Sequence, residues 1–372
     1  MNDLIPSLVS DGQILAEING CLGLITLNRP QALNALSLPM IRDITTLLRH
    51  WADRPEIQAV AVLGAGREGK PPAFCAGGDI RFFHQAAHAG DPALGDFFTE
   101  EYRLNHLIHA YPKPYIALMD GIVMGGGMGI SQGAKLRVLS ERSKLAMPET
   151  GIGLFPDVGG GYFLAQCPGH VGEWLALTGQ SIAAGDAIEW GLGDVFVPAA
   201  QWDDLVAALK SSPQPSAEHV VATVMERADL APAADPKAAA ERIDRHFGEP
   251  SVAGILDSLA AAGDDWARQT HDSLLHRSPT MLAVTLELVR RGRRLSLADD
   301  LRLERDLVHQ CFHLRGSAEA SETVEGIRAL AVDKDHAPRW RPARVAEVDP
   351  AEVAAFFVSP WPPEAHPLKD LA

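Results

Sequence analysis

Residues 115–130 read Tyr-Ile-Ala-Leu-Met-Asp-Gly-Ile-Val-Met-Gly-Gly-Gly-Met-Gly-Ile, a short apolar run followed by a glycine-rich turn. An uninterrupted apolar run at 115–119 is typical of a buried strand, and a helix is predicted after the glycines. This is the most apolar stretch of the chain, but Asp120 and five glycines interrupt it. It therefore predicts a buried strand and a helix, and not a membrane span.

The same pattern of strand, glycine-rich turn and helix occurs elsewhere. The strand-like Ala-Val-Ala-Val-Leu at 59–63 precedes Cys-Ala-Gly-Gly-Asp-Ile at 75–80. A looser version has Lys-Leu-Ala-Met-Pro-Glu at 144–149 before Asp-Val-Gly-Gly-Gly-Tyr-Phe-Leu at 157–164. Alternation of strands with helices predicts an α/β fold.

Outside these repeats, local signals predict further elements. Residues 14–18 and 22–27 are predicted strands that flank Asn19-Gly20, a strong hairpin signal. Apolar residues recur at helical spacing between 41 and 51. Residues 136–139 form a weaker strand pattern.

The character of the chain changes near residue 198. Long helical patterns follow at 281–289 and 301–312, and two stretches resemble linkers, 211–216 and 229–240. The sequence therefore predicts a core domain over residues 1–200 and a mainly helical C-terminal region over residues 201–372.

The charge balance limits the partners. Lys and Arg total 33 against 48 Asp and Glu, so the formal net charge is −15. A strongly acidic surface disfavours nucleic acid and anionic membranes, and we predict neither as a partner. An anionic ligand needs only a local basic patch and stays compatible with this charge.

The cysteines and the N-terminus bear on location. Cys21, Cys75, Cys167 and Cys311 are not paired at metal-binding spacing, which predicts reduced thiols and no metal. The first residues are acidic and lack the basic and apolar regions of a signal peptide. The sequence therefore predicts a cytoplasmic protein.

Two glycine segments carry the first chemical signal. Gly77-Gly78 and Gly125-Gly126-Gly127 each follow a predicted strand and allow the backbone to approach a ligand closely. Backbone N–H groups at two helix N-termini can converge on one oxygen, where the helix dipoles favour negative charge. This pattern predicts an oxyanion hole, in which loss of one donor typically costs roughly a hundred- to a thousandfold in rate.

Taken together, Phe-Cys-Ala-Gly-Gly-Asp at 74–79, the glycine triplet at 125–127 and Met-Pro-Glu at 147–149 resemble the crotonase (enoyl-CoA hydratase/isomerase) superfamily. Leu-Asn-Arg-Pro with Asn-Ala-Leu, at 27–36, is similar to the N-terminal segment of that family. The resemblance covers roughly residues 13–200. It implies a spiral of ββα units.

The same resemblance implies binding roles. The oxyanion donors would be the backbone N–H groups of Gly78 and Gly126. Coenzyme A would bind near Asn34, Ala35, Ala76 and Asp79.

One departure from the family pattern is informative. Hydratases carry two glutamates, and here the position after the glycine triplet is Gly129 while the second position is Glu149. Addition of water to a double bond uses two carboxylates, so the loss of one disfavours hydratase activity. A different acid, Asp157, follows eight residues after Glu149.

Three segments, 147–164, 97–105 and 324–343, resemble one branch of the superfamily, the 3-hydroxyisobutyryl-CoA hydrolases of valine catabolism. They extend the resemblance to nearly the whole chain. The implied activity is hydrolysis of a short hydroxyacyl-CoA thioester, with CoA as part of the substrate and no further cofactor.

The resemblance assigns roles to three acids. Glu149 would activate a water or attack the thioester carbonyl, and the sequence does not choose between these. Asp157 would orient a substrate hydroxyl or assist proton transfer, or else cap the following helix. Glu101 would line the acyl pocket, unless it lies on a solvated helix face beside Glu100.

Other functions stay open. One is an enoyl-CoA hydratase or isomerase that works with one carboxylate, and another is a CoA-binding protein without turnover. The sequence also leaves open the acyl group, homo-oligomer formation and the basic residues that hold the CoA phosphates.

Overall fold

The computed structural model describes residues 4–67, 69–70, 73–211, 216–232 and 236–372. The strands in these residues are β1 Ile14–Asn19, β2 Leu22–Leu27, β3 Ala59–Gly64, β4 Ala73–Cys75, β5 Tyr115–Met119, β6 Ile122–Met124, β7 Leu136–Leu139, β8 Lys144–Ala146 and β9 Val195–Phe196.

Helices account for most of the remaining regular structure. They are α1 Leu38–Ala52, α2 Ile80–Ala89, α3 Ala93–His109, α4 Gly126–Gln132, α5 Gly160–Ala165, α6 Val171–Thr178, α7 Ala184–Glu189, α8 Trp202–Lys210, α9 Ala217–Met225, α10 Pro236–Phe247, α11 Val252–Ala262, α12 Asp265–Leu275, α13 Pro279–Gly292, α14 Leu297–His313, α15 Glu322–Ile327 and α16 Pro350–Phe356. No helix in the described part of the chain has both the length and the apolar character that a membrane crossing needs.

The strands form two sheets. The larger has the order β1-β2-β3-β5-β7-β9, and the smaller has the order β4-β6-β8. In the larger sheet β1 and β2 are antiparallel and every other neighbouring pair is parallel. Parallel strands joined through helices confirm the predicted α/β class.

The predicted strands and the first helix are confirmed. The hairpin differs in one detail, because Asn19 pairs with Leu22 and the loop is therefore Gly20-Cys21. Gly20 has a φ of 60°, a conformation that glycine adopts without steric cost. The helix predicted between 41 and 51 is α1, whose apolar residues are buried.

The link from β5 to the glycine triplet also differs from the prediction. The chain turns at Asp120-Gly121 and forms β6 before α4 begins. β6 pairs in parallel with β4 of the smaller sheet. The additional strand places the glycine triplet directly after β6, at an edge shared with the turn that follows β4.

By its contacts the chain divides into two compact units. The first unit comprises Met1–Gly78, Arg103–Leu145 and Ile182–Ala234, and the second comprises Asp79–Tyr102, Ala146–Ser181 and Asp235–Ala372. Each unit draws on segments from both sides of residue 200. The boundary between residues 1–200 and 201–372 stays a prediction.

The predicted linker 229–240 spans the boundary at Ala234, whereas 211–216 belongs to the Ile182–Ala234 segment of the first unit. Residues 212–215 and 233–235 lie outside the described residues. The prediction for 229–240 is wrong over its last part, because α10 begins at Pro236. Proline is well tolerated in the first turn of a helix, where its missing N–H has no partner to lose.

The first unit has its core against one face of the larger sheet. Alternate residues of the central strands share this face, and they pack against apolar residues of α8 and α9 such as Leu205 and Val224. A spacing of two along a strand places side chains on the same side of the sheet. This apolar layer holds the strands whose carboxyl ends lead into the glycine-rich turns.

The start of α4 depends on a very close approach to β4. A Cβ atom added to Gly127 would lie closer than 3.0 Å to the carbonyl oxygen of Cys75. Backbone atoms cannot move away cheaply, so only glycine fits here. The contact fixes the position of Gly126, the first residue of α4.

We expect Gly127→Ala to lower the free energy of unfolding by about 1–3 kcal/mol, the usual cost of overpacking. Gly66→Ala is the control, because a Cβ there meets open space, and its effect should stay within about 0.5 kcal/mol. Urea unfolding followed by circular dichroism measures both. Equal stability of the two variants would contradict the close packing.

Candidate active site

The first predicted oxyanion donor lies beside the predicted CoA-binding turn, both within the first unit. Residues 76–78 run alongside residues 33–36, with the Ala76 amide donating to the Leu33 carbonyl at 3.0 Å and the Leu36 amide donating to the Gly77 carbonyl at 2.8 Å. Leu36 and Gly78 form a parallel bridge. Gly77 has a φ of +111°, which side-chain-bearing residues rarely adopt.

The second glycine segment lies next to the first. Gly125 has a φ of 50° and α4 begins at Gly126. A Cβ atom on Gly77 would be 3.7 Å from the Gly126 amide nitrogen and 3.5 Å from the Met124 carbonyl oxygen. The backbones of the two turns are therefore close together, and because Gly77 and Gly126 have no side chains, nothing from these residues lies between them. The donor roles of Gly78 and Gly126 stay predictions.

Asn34 is held by the protein itself. It is fully buried, its Oδ1 accepts from the Arg29 amide, and its Nδ2 donates to the carbonyls of Ala65 and Ala73. Its φ of 57° is left-handed, a conformation that asparagine tolerates. The side chain fixes the turn, so contact with CoA here would come from backbone groups of Asn34, Ala35 or Ala76.

Asp79 caps the helix that follows the first glycine segment. Its carboxylate accepts from the Phe82 amide at 3.3 Å, and α2 begins one residue later. A capping acid also complements the positive end of the helix dipole. The predicted contact between Asp79 and CoA stays a prediction.

The second unit brings the three predicted acids together. Glu101 lies on α3, Glu149 opens the turn Glu149–Ile152 after β8, and Asp157 precedes α5. Their exposed fractions are 2%, 6% and 5%. We call these three side chains the acidic cluster. Since Glu101 is buried, the alternative of a solvated helix face is wrong.

Asp157 is hydrogen-bonded to a residue that the sequence did not single out. The Tyr102 hydroxyl donates to Oδ2 of Asp157 at 2.8 Å. Burial raises the pKa of Asp157 to about 6, while the Tyr102 hydrogen bond favours the ionised form. The sequence did contain a signal for Tyr102, namely the spacing that places Phe98, Glu101, Tyr102 and Asn105 on one face of a helix. In the structure all four are buried.

Glu149 is buried, and one negative and one positive side chain affect its charge. Burial raises its pKa well above the ordinary value, and the negative charge of Asp157 raises it further. Its own backbone hydrogen bond and the positive charge of Arg277 act in the opposite direction. Oε2 of Glu149 is buried and has no hydrogen-bond partner among the described residues. This oxygen is therefore available to a water or a substrate atom.

Glu101 completes the cluster. Burial raises its pKa well above the ordinary value, and Asp157 and Glu149 raise it further. These effects favour the neutral acid over the carboxylate, and the neutral acid can donate one hydrogen bond. Its Oε1 also has no partner among the described residues.

Arg277 approaches the turn that carries Glu149. Its Nη2 donates to the Thr178 carbonyl at the end of α6. A Cβ atom on Gly151 would collide with Nη1, so glycine at this position makes room for the guanidinium. The Ser278 amide donates to the Thr150 carbonyl at 3.1 Å and ties the same segment to the turn.

The alternative role of Asp157 as a helix cap is wrong. The α5 N-cap is Gly159, and the carboxylates that accept from the first amides of this segment belong to Glu304 and Asp300. No local signal predicted these partners, because they lie 138 to 145 residues further along the chain.

In the described part of the chain, no group of three or more His, Cys, Asp or Glu side chains is arranged to hold an ion, and the absence of a metal stays a prediction. The four cysteines are buried, and none of them forms a disulfide. Cys75 contacts the Gly77 carbonyl at 3.7 Å through its sulfur, within the first glycine segment.

The sequence matches relatives along almost its full length. It is 41% identical to "3-hydroxyisobutyryl-CoA hydrolase, mitochondrial" of Xenopus tropicalis, covering 94% of this chain and 90% of that protein. It is 39% identical to the protein of the same name from Homo sapiens, covering 93% and 89%.

Solved structures share the fold. A carnitinyl-CoA dehydratase from Mycobacterium thermoresistibile superposes with a TM-score of 0.84 at 39% identity, covering 94% of this chain and 98% of the other. An enoyl-CoA hydratase from Rhodobacter sphaeroides has a TM-score of 0.83 at the same identity and coverage. A family model for enoyl-CoA hydratase/isomerase matches residues 22–357. The chain therefore belongs to the enoyl-CoA hydratase/isomerase family.

Proposed function

We propose that the protein hydrolyses a short-chain hydroxyacyl-CoA thioester, with 3-hydroxyisobutyryl-CoA as substrate and 3-hydroxyisobutyrate and CoA as products. The observation that carries this proposal is the acidic cluster, in which Glu149 is buried beside Asp157 and one of its oxygens has no hydrogen-bond partner among the described residues. The relatives named as 3-hydroxyisobutyryl-CoA hydrolases, at 39–41% identity over nearly the whole chain, support it.

The reaction is an acyl transfer to water. The backbone N–H groups of Gly78 and Gly126 stabilise the charge that develops on the thioester oxygen. Glu149, as a carboxylate, either removes a proton from the attacking water or attacks the carbonyl carbon to give a mixed anhydride that water then opens. In both routes a carbon–oxygen bond forms, the carbon–sulfur bond breaks, and the CoA sulfur takes up a proton.

The other two acids, Asp157 and Glu101, interact with the acyl group of the substrate. Asp157 accepts a hydrogen bond from the substrate hydroxyl or passes a proton, and the Tyr102 hydroxyl holds it in place at 2.8 Å. Glu101 lines the acyl pocket, and its raised pKa favours the neutral acid, which offers both a donor and an acceptor. A hydroxylated acyl chain matches such a polar lining, since buried polar groups left without partners are costly.

The remaining assignments extend the same proposal. Backbone groups near Asn34, Ala35, Ala76 and Asp79 bind the CoA portion of the substrate, and no further cofactor takes part. A cytoplasmic location is supported by the four cysteines, none of which forms a disulfide, since a reducing compartment keeps thiols unpaired. The names of the relatives place those proteins in mitochondria. Assembly into a homo-oligomer stays a prediction.

A hydratase or dehydratase activity is the second candidate. The two solved structures with 39% identity carry those names. Gly129 opposes it, because this buried position on α4 offers no second carboxylate.

The test follows free thiol and double-bond absorbance in parallel. The purified protein is given 3-hydroxyisobutyryl-CoA and, separately, crotonyl-CoA. Rapid thiol release from the first with unchanged crotonyl absorbance is expected. Loss of the crotonyl double bond without thiol release from either compound would replace hydrolysis by hydration.

We expect Glu149→Gln to lower kcat by at least about a hundredfold, because an amide neither attacks the carbonyl nor accepts a proton. Binding of CoA, measured by calorimetry, should be retained. Glu173→Gln is the matched control, since Glu173 is also buried but pairs with Arg293. Turnover by Glu149→Gln at the wild-type rate would refute the assigned role.

The pH profile gives a separate prediction. Since Glu149 acts in its ionised form and its pKa is raised, kcat/KM should rise with pH along a limb above the ordinary range of a glutamate. Arg277 favours the ionised form, so Arg277→Met should move this limb to higher pH, whereas Arg277→Lys should move it less. If the limb were identical in all three proteins, Arg277 would have no effect on the ionisation of Glu149.

A further inference from the structure

Glu304, a fully buried residue of helix α14, binds the turn that follows Asp157. Oε2 of Glu304 accepts from the Gly159 amide at 2.8 Å, and Oε1 accepts from the Gly161 amide at 3.0 Å. One helical turn earlier, Asp300 accepts from the Tyr162 amide at 2.8 Å. Helix N-termini leave amides unsatisfied, and here two acids from a distant helix satisfy them.

The turn itself adopts an unfavourable backbone conformation. Val158 has a φ of 57° and Gly159 a φ of 89°, so two successive residues are left-handed. For a β-branched residue such as valine this region is an outlier that persists only where the surroundings enforce it. Gly160 donates to the Asp157 carbonyl at 2.8 Å and closes the turn. The orientation of Asp157 therefore depends on what holds residues 158–161.

Glu304 is a costly means of capping a helix. Burial raises its pKa well above the ordinary value, and the charges of Asp300 and Asp157 raise it further. A serine or asparagine at the N-cap would satisfy an amide without such a cost. A carboxylate differs in having two acceptor oxygens in a rigid plane, which here reach amides on both sides of Gly160. Glu304 therefore binds two backbone amides at once, which a serine or asparagine N-cap does not do.

Close packing supports the same arrangement. A Cβ atom on Gly161 would lie closer than 3.0 Å to Oδ1 of Asp300 and to Leu288 of α13. A Cβ atom on Gly292 would collide with the Gly161 carbonyl. The start of α5 is therefore confined by α13 and α14 together, and its amides point at the two acids.

We propose that Glu304 is a positioning residue for the hydrolysis, which holds the left-handed turn so that the Asp157 carboxylate stays against the Tyr102 hydroxyl. The inference rests on the proposed function for its kinetic consequence. Its structural consequence, the state of the hydrogen bond between Tyr102 and Asp157, can be measured without turnover.

The variant Glu304→Gln tests it. The glutamine amide keeps one acceptor oxygen but presents an NH₂ group to the second backbone amide, so one of the two hydrogen bonds to the turn is lost. We expect kcat for 3-hydroxyisobutyryl-CoA to fall by about ten- to a hundredfold with little change in KM, because small misplacements of reacting groups act on the chemical step. Glu173→Gln, which removes a buried carboxylate bound to Arg293, should leave kcat unchanged.

The second readout is fluorine NMR of the protein labelled with 3-fluorotyrosine. The chain has four tyrosines, and Tyr102→Phe assigns the resonance of Tyr102. Glu304→Gln should shift or broaden this resonance and Glu173→Gln should not. Glu304→Asp, which keeps the charge but shortens the reach, supplies the same test where glutamine prevents folding.

The outcomes separate the two proposals. A wild-type protein without thiol release would refute the proposed function and leave the fluorine measurement as the test of Glu304. A wild-type Tyr102 resonance together with wild-type kcat in folded Glu304→Gln would overturn the positioning role. An equal loss of kcat in Glu173→Gln would also overturn it, because general destabilisation would then explain the effect.

Discussion

Mutual repulsion among three buried carboxyl groups is the constraint on which the candidate site depends. Glu101, Glu149 and Asp157 are each removed from solvent, and burial and neighbouring negative charge raise the pKa of both glutamates. Such a cluster cannot be fully ionised near neutral pH at low cost, so its members divide into proton donors and acceptors. The Tyr102 hydroxyl and the Arg277 guanidinium bias that division by favouring charge on Asp157 and Glu149.

Glycine residues let the helices come close to the groups of the candidate site and of its support. Gly127 brings α4 against β4, Gly151 admits Arg277, and Gly161 admits Asp300. In each case an added methyl group would collide with an atom that the site or its support requires. The glycine-rich turns are therefore more than flexible connections, because they set how near the helices come to the groups that they serve.

The sequence predicted what is determined locally. The periodicity of α1 and the apolar runs of β3, β5 and β7 are properties of a few neighbouring residues, and the structure confirms them. The three-residue strand β6 was missed because its assignment depends on pairing with β4, about fifty positions away. The family resemblance pointed to the acids of the cluster, and the structure places these together within one unit. Glu304, Asp300 and Arg277 were not predicted, since nothing near them in sequence marks their partners.

The acidic cluster and its support also link function to stability. The pKa of Asp157 is about 6 and that of Asp300 about 7, against an ordinary value of 3.8. The folded protein therefore binds more protons than the unfolded chain between about pH 4 and pH 7, and these groups favour folding most below that window. As pH rises through it, the two acids ionise at a cost to stability that the unfolded chain does not bear. The ionised form of Glu149, which the proposed mechanism requires, is reached in the same direction of pH. Under the proposed mechanism, activity therefore rises under conditions that weaken folding, and the hydrogen bonds from Tyr102 and from the amides of α5 act to limit that loss of stability.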